Sequence, residues 1–312
     1  MKTTYDRQTV QTALDQAYAE AKKLVGTGFM PDFIPALEDV DPNRVSISLM
    51  DMDGNTYTAG NYDGTFSIQS ISKIILLELA IRESGEDVVF SKIGVEPSGS
   101  GFNSFYRLEL LEQKASNPFI NPGAITSASC VKGANIEEKY AKLQALSGEL
   151  LGNPNITYSR EVCDCEMKTG HRNRALASIL LHNGILEGDP EEHLELYYRA
   201  CALYASTAEV SRLGGILAND GILPGTTTRL LPRERCQLYR GLMATCGMYD
   251  STGAYSVRVG IPAKSGSGGG IIAAARGKAG LAVYSPELDG RGNSVCGMQA
   301  LACLADSLDL RY

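Results

Sequence analysis

Ser70-Ile71-Ser72-Lys73 sets a hydroxyl three residues before an amine. On a helix those two side chains share a face. A serine hydroxyl becomes a useful nucleophile when a base takes its proton, and a lysine desolvated beside it is neutral enough to serve. A helix start adds backbone N–H groups and a positive dipole end where an oxyanion would develop. Spacing alone discriminates little, because ordinary Ser and Lys abundance gives S-x-x-K about once in a chain of this size. Ser129-Cys130-Val131-Lys132 is indeed a second match.

The partner motif of such a serine is K-[ST]-G on a strand. It also occurs twice, as Lys168-Thr169-Gly170 and Lys264-Ser265-Gly266. Context separates the copies. Lys168 stands between a polar stretch and the helix-like RNRALASILL, whereas Lys264 follows VRVGI, which reads as a strand, and precedes glycines and two further strands. Ser70 follows a hairpin and opens an apolar helix; Ser129 lies inside a helical stretch ended by Gly133. The pair Ser70 and Lys264 therefore has the order of serine acyl-transfer enzymes of the β-lactamase and penicillin-binding type. Ser-Asp-Asn and Tyr-x-Asn are both missing from the chain. That argues against β-lactam chemistry and leaves the substrate open at the level of these residues.

The elements that must position these groups follow from hydrophobic period. Residues 5–24 carry Val10, Ala13, Leu14 and Ala17 at helical spacing. Residues 44–50 alternate as a strand, Asp53-Gly54-Asn55 turns, and 56–59 return as a second strand. From 85 to 215 the chain reads as helical and loop-rich, and 229–243 as a helix. Segments 257–261, 270–275 and 280–284 read as three short strands, and 293–310 as a closing helix. The predicted class is α+β: an antiparallel sheet combining the early hairpin with the late strands, flanked by helices from both chain ends, with an all-helical subdomain alongside. The expected division is 1–84 with 216–312 as the sheet domain, and 85–215 as the helical insertion.

Bulk properties narrow the partners. The chain has 312 residues, 44% hydrophobic content and a formal net charge of -7, enough for an ample core. A negative surface disfavours nucleic acid and anionic membranes as partners. No apolar run approaches a membrane span, and MKTTYDRQTV lacks a signal-peptide core, so a cytoplasmic enzyme is expected. The eight cysteines (130, 163, 165, 201, 236, 246, 296 and 303) are expected as reduced thiols in a chain of this size. Cys163 and Cys165 form one C-x-C, but the histidines at 171, 182 and 193 are scattered, so neither a metal site nor a cofactor is expected.

Several segments together are more specific than any motif. Phe66–Lys73 (FSIQSISK), Asn117–Ile125 (NPFINPGAI), Gly170–Asn173 (GHRN), Cys246–Asp250 (CGMYD), Gly260–Gly266 (GIPAKSG), and Ser285–Asp289 with Gly292–Val295 occur in this order across nearly the whole chain. They resemble the serine-dependent glutaminase family. The resemblance implies a β-lactamase-like fold and hydrolysis of L-glutamine to L-glutamate and ammonia, without cofactor, in a homo-oligomer (dimer or tetramer). It implies Ser70 as nucleophile, Lys73 as its base and Tyr249 as a proton relay lining the pocket. It further implies Asn121, Glu166, Asn173 and Tyr197 as ligands of the amino-acid end of glutamine. Ser267 would complete an oxyanion hole through its backbone N–H, with Lys264, Ser265 and Gly266 as the strand beside the site.

Those types suit the substrate: a carboxylate balances an ammonium, and amides and a phenol hydrogen-bond a polar head. Taken singly, each reads as readily as a solvated charge, a turn residue or a packed aromatic. The chain departs from the family pattern at Pro122, where Ala is commoner, at His171, where Asp is common, and at Ser267, where Val is usual. Two other readings share features with this one. A different serine amidohydrolase or peptidase would also need Ser70 and Lys73, and a non-catalytic amino-acid-binding protein would bind glutamine without releasing ammonia.

Overall fold

The computed structural model describes residues 6–31, 34, 40–61, 63–99, 101, 103–104 and 113–312. The first helix, α1 (Arg7–Lys22), starts where the Asp6 side chain accepts the Thr9 N–H, and buries Val10, Leu14, Ala17 and Ala21 along one stripe. The predicted helix begins at Tyr5, which lies outside the described residues.

The hairpin forms as expected. Strand β1 (Ser46–Asp51) pairs antiparallel with β2 (Thr56–Gly60). The late strands β5 (Ala263–Ser265), β6 (Gly270–Ala275) and β7 (Ala279–Tyr284) join them in one antiparallel sheet of order β2-β1-β7-β6-β5. Strand alternation divides the core in two. Ile271, Ala273, Leu281 and Val283 face a cluster with Leu14 of α1 and Leu301 of the last helix, α12 (Val295–Ser307). Ile272, Ala274 and Ala282 face the larger cluster, which includes the helical region. Both sheet faces are thus covered, with helices from the two chain ends together on one of them.

A short pair of strands, β3 (Thr65–Ser67) and β4 (Tyr204–Ser206), lies outside the main sheet. After β3 comes a single 3₁₀ turn (Gln69–Ser72), and then α2 (Lys73–Ser84), apolar almost all round and buried as such. Helices α3 (Glu86–Lys92), α4 (Asn121–Ser129), α5 (Ile136–Leu151), α6 (Arg160–Thr169), α7 (His171–His182) and α8 (Pro190–Cys201) build the helical region. Helix α9 (Thr207–Ala218), opened by a Ser206/Glu209 capping box, lies across β1, β6 and β7. It can approach so closely because Gly280 has no side chain: a Cβ there would stand 1.8 Å from the Gly215 nitrogen. The division into 1–84 with 216–312 and 85–215 stays a proposal, and α9 spans its second boundary.

The segment 257–261 is not a strand. Val257 and Arg258 end a helix, α11 (Thr252–Arg258), which follows α10 (Arg233–Cys246) and a 3₁₀ turn at Tyr249–Ser251. The β-branched Val257 and Val259 suggested extension, but Gly260 at φ +67° reverses the chain and β5 begins only after Pro262. Likewise α10 starts four residues later than predicted, because Pro232 keeps the residue before it out of helical geometry.

Candidate functional site

Ser70 sits in the 3₁₀ turn rather than at the head of an α-helix, and Lys73 is the first residue of α2. The turn is held in a costly backbone conformation: Gln69 has φ +46°. Gly266, just past β5, lets that strand end press on the turn, since a Cβ there would meet the Ile68 carbonyl at 2.7 Å. Tyr249 arrives from the other side with φ +55°. Two strained residues, one on each side of the serine, mark a place where geometry is held against local preference.

Lys73 is buried, and its Nζ donates to Asn121 Oδ1 at 2.8 Å and to the Phe119 carbonyl at 3.2 Å. Desolvation lowers its amine to about 8, opposed by the neighbouring Cys201 and Glu166. Lys264 is fully buried as well and is pushed well below the usual lysine range, first by burial and then by the charge of Lys73. Its Nζ donates to the Ser265 carbonyl and lies 4.6 Å from the Tyr249 ring centroid. The Tyr249 hydroxyl donates to the Ser265 carbonyl at 3.2 Å. Burial raises it far above an ordinary phenol, partly offset by hydrogen bonding with the Ser70 side chain and the Ser267 N–H.

Beside this group lies a cavity of about 320 Å³, within the usual range of small-molecule sites. Ser70, Asn121, Glu166, Asn173, Tyr197 and Ser267 all line it. Its amide wall is ordered. Asn121 Oδ1 accepts from Lys73 and also from the Tyr197 hydroxyl at 3.1 Å, so Asn121 Nδ2 points to Asn173 Oδ1 at 3.0 Å. Asn173 Nδ2 in turn donates to the Tyr198 hydroxyl at 3.0 Å. Glu166, half-buried, lines the same cavity. Burial raises its carboxyl to about 8, countered by the Gln69 side chain and Lys73. Among the described residues no cation lies within ion-pair distance of it. A desolvated carboxylate with no ion-pair partner among the described residues suits a cationic ligand group.

The competing motifs fall elsewhere. Ser129 ends α4, and its Oγ is spent on the Thr126 carbonyl. Lys168 lies exposed in the last turn of α6. The sequence-predicted residues thus gather in one place, with Lys73, Lys264 and Tyr249 behind the cavity wall. Sequence reasoning passed over three participants. Gln69 Nε2 reaches Glu166 at 3.4 Å and Ser67 Oγ at 3.1 Å. Phe119 contributes a backbone carbonyl, which its side chain cannot advertise. Tyr198 is one of two adjacent tyrosines, and nothing in the sequence says that both face this wall. All eight cysteines are free thiols. Among the described residues no group of three or more His, Cys, Asp and Glu side chains is arranged to hold a metal, and no helix is long and apolar enough to cross a membrane.

A family model described as Glutaminase matches residues 28–312. Glutaminase 2 of Clostridium perfringens is 41% identical over 298 residues, covering 95% of this chain and 98% of its own. Among solved structures, the probable glutaminase ybaS superposes with a TM-score of 0.93 at 36% identity, covering 98% of this chain and 99% of that one. A probable glutaminase from Bacillus subtilis, complexed with 6-diazo-5-oxo-L-norleucine, superposes with a TM-score of 0.88 at 33% identity, over 100% of this chain and 99% of that one. The shared fold is the β-lactamase-like one expected from the sequence.

Proposed function

We propose, from the premise that this chain belongs to the glutaminase family, that it hydrolyses L-glutamine to L-glutamate and ammonia with Ser70 as nucleophile and Lys73 as base. The observation that carries this reading is the buried Lys73 amine bonded to Asn121, an amide that lines the same cavity as Ser70. A neutral amine has two N–H groups and one lone pair. Its two donors match the Phe119 carbonyl and Asn121 Oδ1, which leaves the lone pair for the Ser70 proton, taken directly or through Tyr249.

Ser70 Oγ then attacks the side-chain amide carbon. The oxyanion is met by the backbone N–H groups of Ser70 and Ser267. Only main-chain atoms of Ser267 are needed, so serine serves where the family usually has valine. The C–N bond breaks as nitrogen takes the proton from Lys73, and ammonia leaves a glutamyl ester on Ser70. Water attacks the ester with the same lysine as base, and glutamate departs. Glu166 balances the substrate ammonium, while Asn121, Asn173 and Tyr197 hold its polar head. Lys264, Ser265 and Gly266 shape the wall behind Tyr249, with Lys264 pushed toward its neutral form by burial and by the charge of Lys73.

Two expectations about context belong to this reading. Free cysteines and a net charge of -7 support a cytoplasmic setting, and assembly into a homo-oligomer rests on the family resemblance alone. The test is ammonia release by the purified protein from L-glutamine, set beside L-asparagine and a β-lactam. No ammonia from glutamine would refute the proposal.

A further inference from the structure

A second cavity, of about 350 Å³, adjoins the site from behind. Its lining includes Phe119, Cys246, Tyr249, Asp250 and Gly253. The partition between the two cavities is made of chain neighbours. Phe119 and Ile120 line the rear cavity, and Asn121 lines the front one. Tyr249 lines the rear cavity, yet its hydroxyl is hydrogen-bonded with Ser70, which lines the front one. The Phe119 carbonyl receives the Lys73 amine.

This arrangement bears on where ammonia goes. Under the proposed mechanism, on which this inference rests, the leaving nitrogen must lie within hydrogen-bond reach of the group that protonates it. That group is Lys73 or Tyr249, so ammonia is born against the partition. At that moment the glutamyl group is still esterified to Ser70, with its head among Asn121, Glu166 and Asn173, and it fills the front cavity. The rear cavity is lined by the aromatic residues Tyr249 and Phe119, a type of side chain that attracts an ammonium, and by the exposed Asp250.

We infer that the cavity behind Tyr249 is the ammonia chamber of this enzyme: it receives ammonia from the acylation step and admits small amine nucleophiles to the glutamyl ester. The bookkeeping closes. Ammonia carries the two amide protons and the one relayed from Ser70, and takes a further proton from solvent near Asp250. In the reverse sense an amine attacks the ester carbon, the bond to Ser70 Oγ breaks, and Lys73 passes the amine's proton to the serine.

Gly253 is the handle for a test. It lies on α11 at the cavity wall, its φ is not positive, and a Cβ there would meet nothing within 4 Å. Gly253 is exposed at the cavity mouth, so Gly253→Ala, Gly253→Leu and Gly253→Trp narrow that mouth in steps without straining the backbone. The readout is the ratio of glutamyl hydroxamate to glutamate when glutamine is turned over with hydroxylamine present. A second readout is the rate at which 6-diazo-5-oxo-L-norleucine labels Ser70, a reaction whose loss of dinitrogen is irreversible and so insensitive to product exit. Gly253→Trp should lower the hydroxamate ratio about tenfold and slow kcat, with Ala nearly wild type, Leu between, and labelling unchanged. A wild-type ratio in Gly253→Trp overturns the inference. So does a fall in labelling that tracks the ratio through the series, because the cavity then only supports Tyr249. Absence of any ammonia release by the unsubstituted protein would instead refute the glutaminase proposal itself.

Discussion

Asn121 and Asn173 are joined amide to amide, Nδ2 to Oδ1 at 3.0 Å, and the direction of that bond is dictated by Lys73. Because Asn121 Oδ1 already accepts from Lys73 and Tyr197, both asparagines have only one consistent orientation. The base and the substrate-facing wall are therefore parts of one hydrogen-bonded unit, and a change at Asn121 should be felt in the titration of the base.

Asn121→Asp keeps the shape but sets a carboxylate beside Lys73. An opposite charge at that distance raises a lysine's pKa by about 1–3 units. The alkaline-rising limb of kcat/KM should move to higher pH by that amount, with activity near neutrality reduced accordingly. A pH profile superimposable on the parent would show that Lys73 is not the titrating base.

For the unsubstituted enzyme the sign follows from two groups. Lys73 is lowered to about 8 and must be neutral to act; Glu166 is raised to about 8 and must be charged to hold an ammonium. Both lose a proton as pH rises, so kcat/KM should climb from mildly acid to mildly alkaline conditions. Its logarithm should approach a slope of about 2 well below both values, since two protons must leave. An activity maximum near pH 4 would contradict the scheme.

Glu166→Gln should cost roughly 10²-fold in kcat/KM, about 2.7 kcal/mol, because the substrate ammonium is left desolvated without its partner. The acid limb should fall to a slope of about 1, as one of the two titrating groups is gone. The loss should nearly vanish for a glutamine analogue lacking the α-amino group. Glu161→Gln, on the first, exposed turn of the same helix, is the control; equal damage there would point to a general field effect.

Ser70→Ala should abolish turnover at a stability cost of no more than about 1 kcal/mol, whereas Ser129→Ala should remain near wild type. Ammonia assay and thermal denaturation of both proteins decide between the two S-x-x-K copies.

Gly280→Ala tests the fold rather than the chemistry. Its Cβ would stand 1.8 Å from the Gly215 nitrogen, so α9 must lift from the sheet. Such overpacking costs about 3 kcal/mol or more. Gly241→Ala, in a helix with open space around the new methyl, should instead stabilise by up to about 1 kcal/mol. Denaturant midpoints measure both.

The sheet was legible where short apolar runs stand between glycine turns: the spans over 270–275 and 280–284 emerge almost as read, because their residues meet two apolar layers. It was illegible at 257–261, where two valines outweighed the helix they end. Lys264 lies within β5 itself, not after a strand. The candidate site was legible only as a set of segments in order. Its side-chain donors and acceptors carry letters, but the Phe119 carbonyl and the left-handed backbone at Gln69 and Tyr249 have no signature, since each is imposed by packing from elsewhere in the chain.

β5, three residues long, is also the rim of the main sheet. A bare rim invites a strand from another molecule to add on. Here the outward Ser265 N–H is already taken by the Gly247 carbonyl at 3.0 Å, and a Cβ at Gly247 would collide with the Ala263 carbonyl at 1.7 Å. The glycine that admits this contact therefore shields the chain from fibril-like pairing at the strand that carries Lys264. A bulkier residue there would push this contact apart and expose a sticky edge.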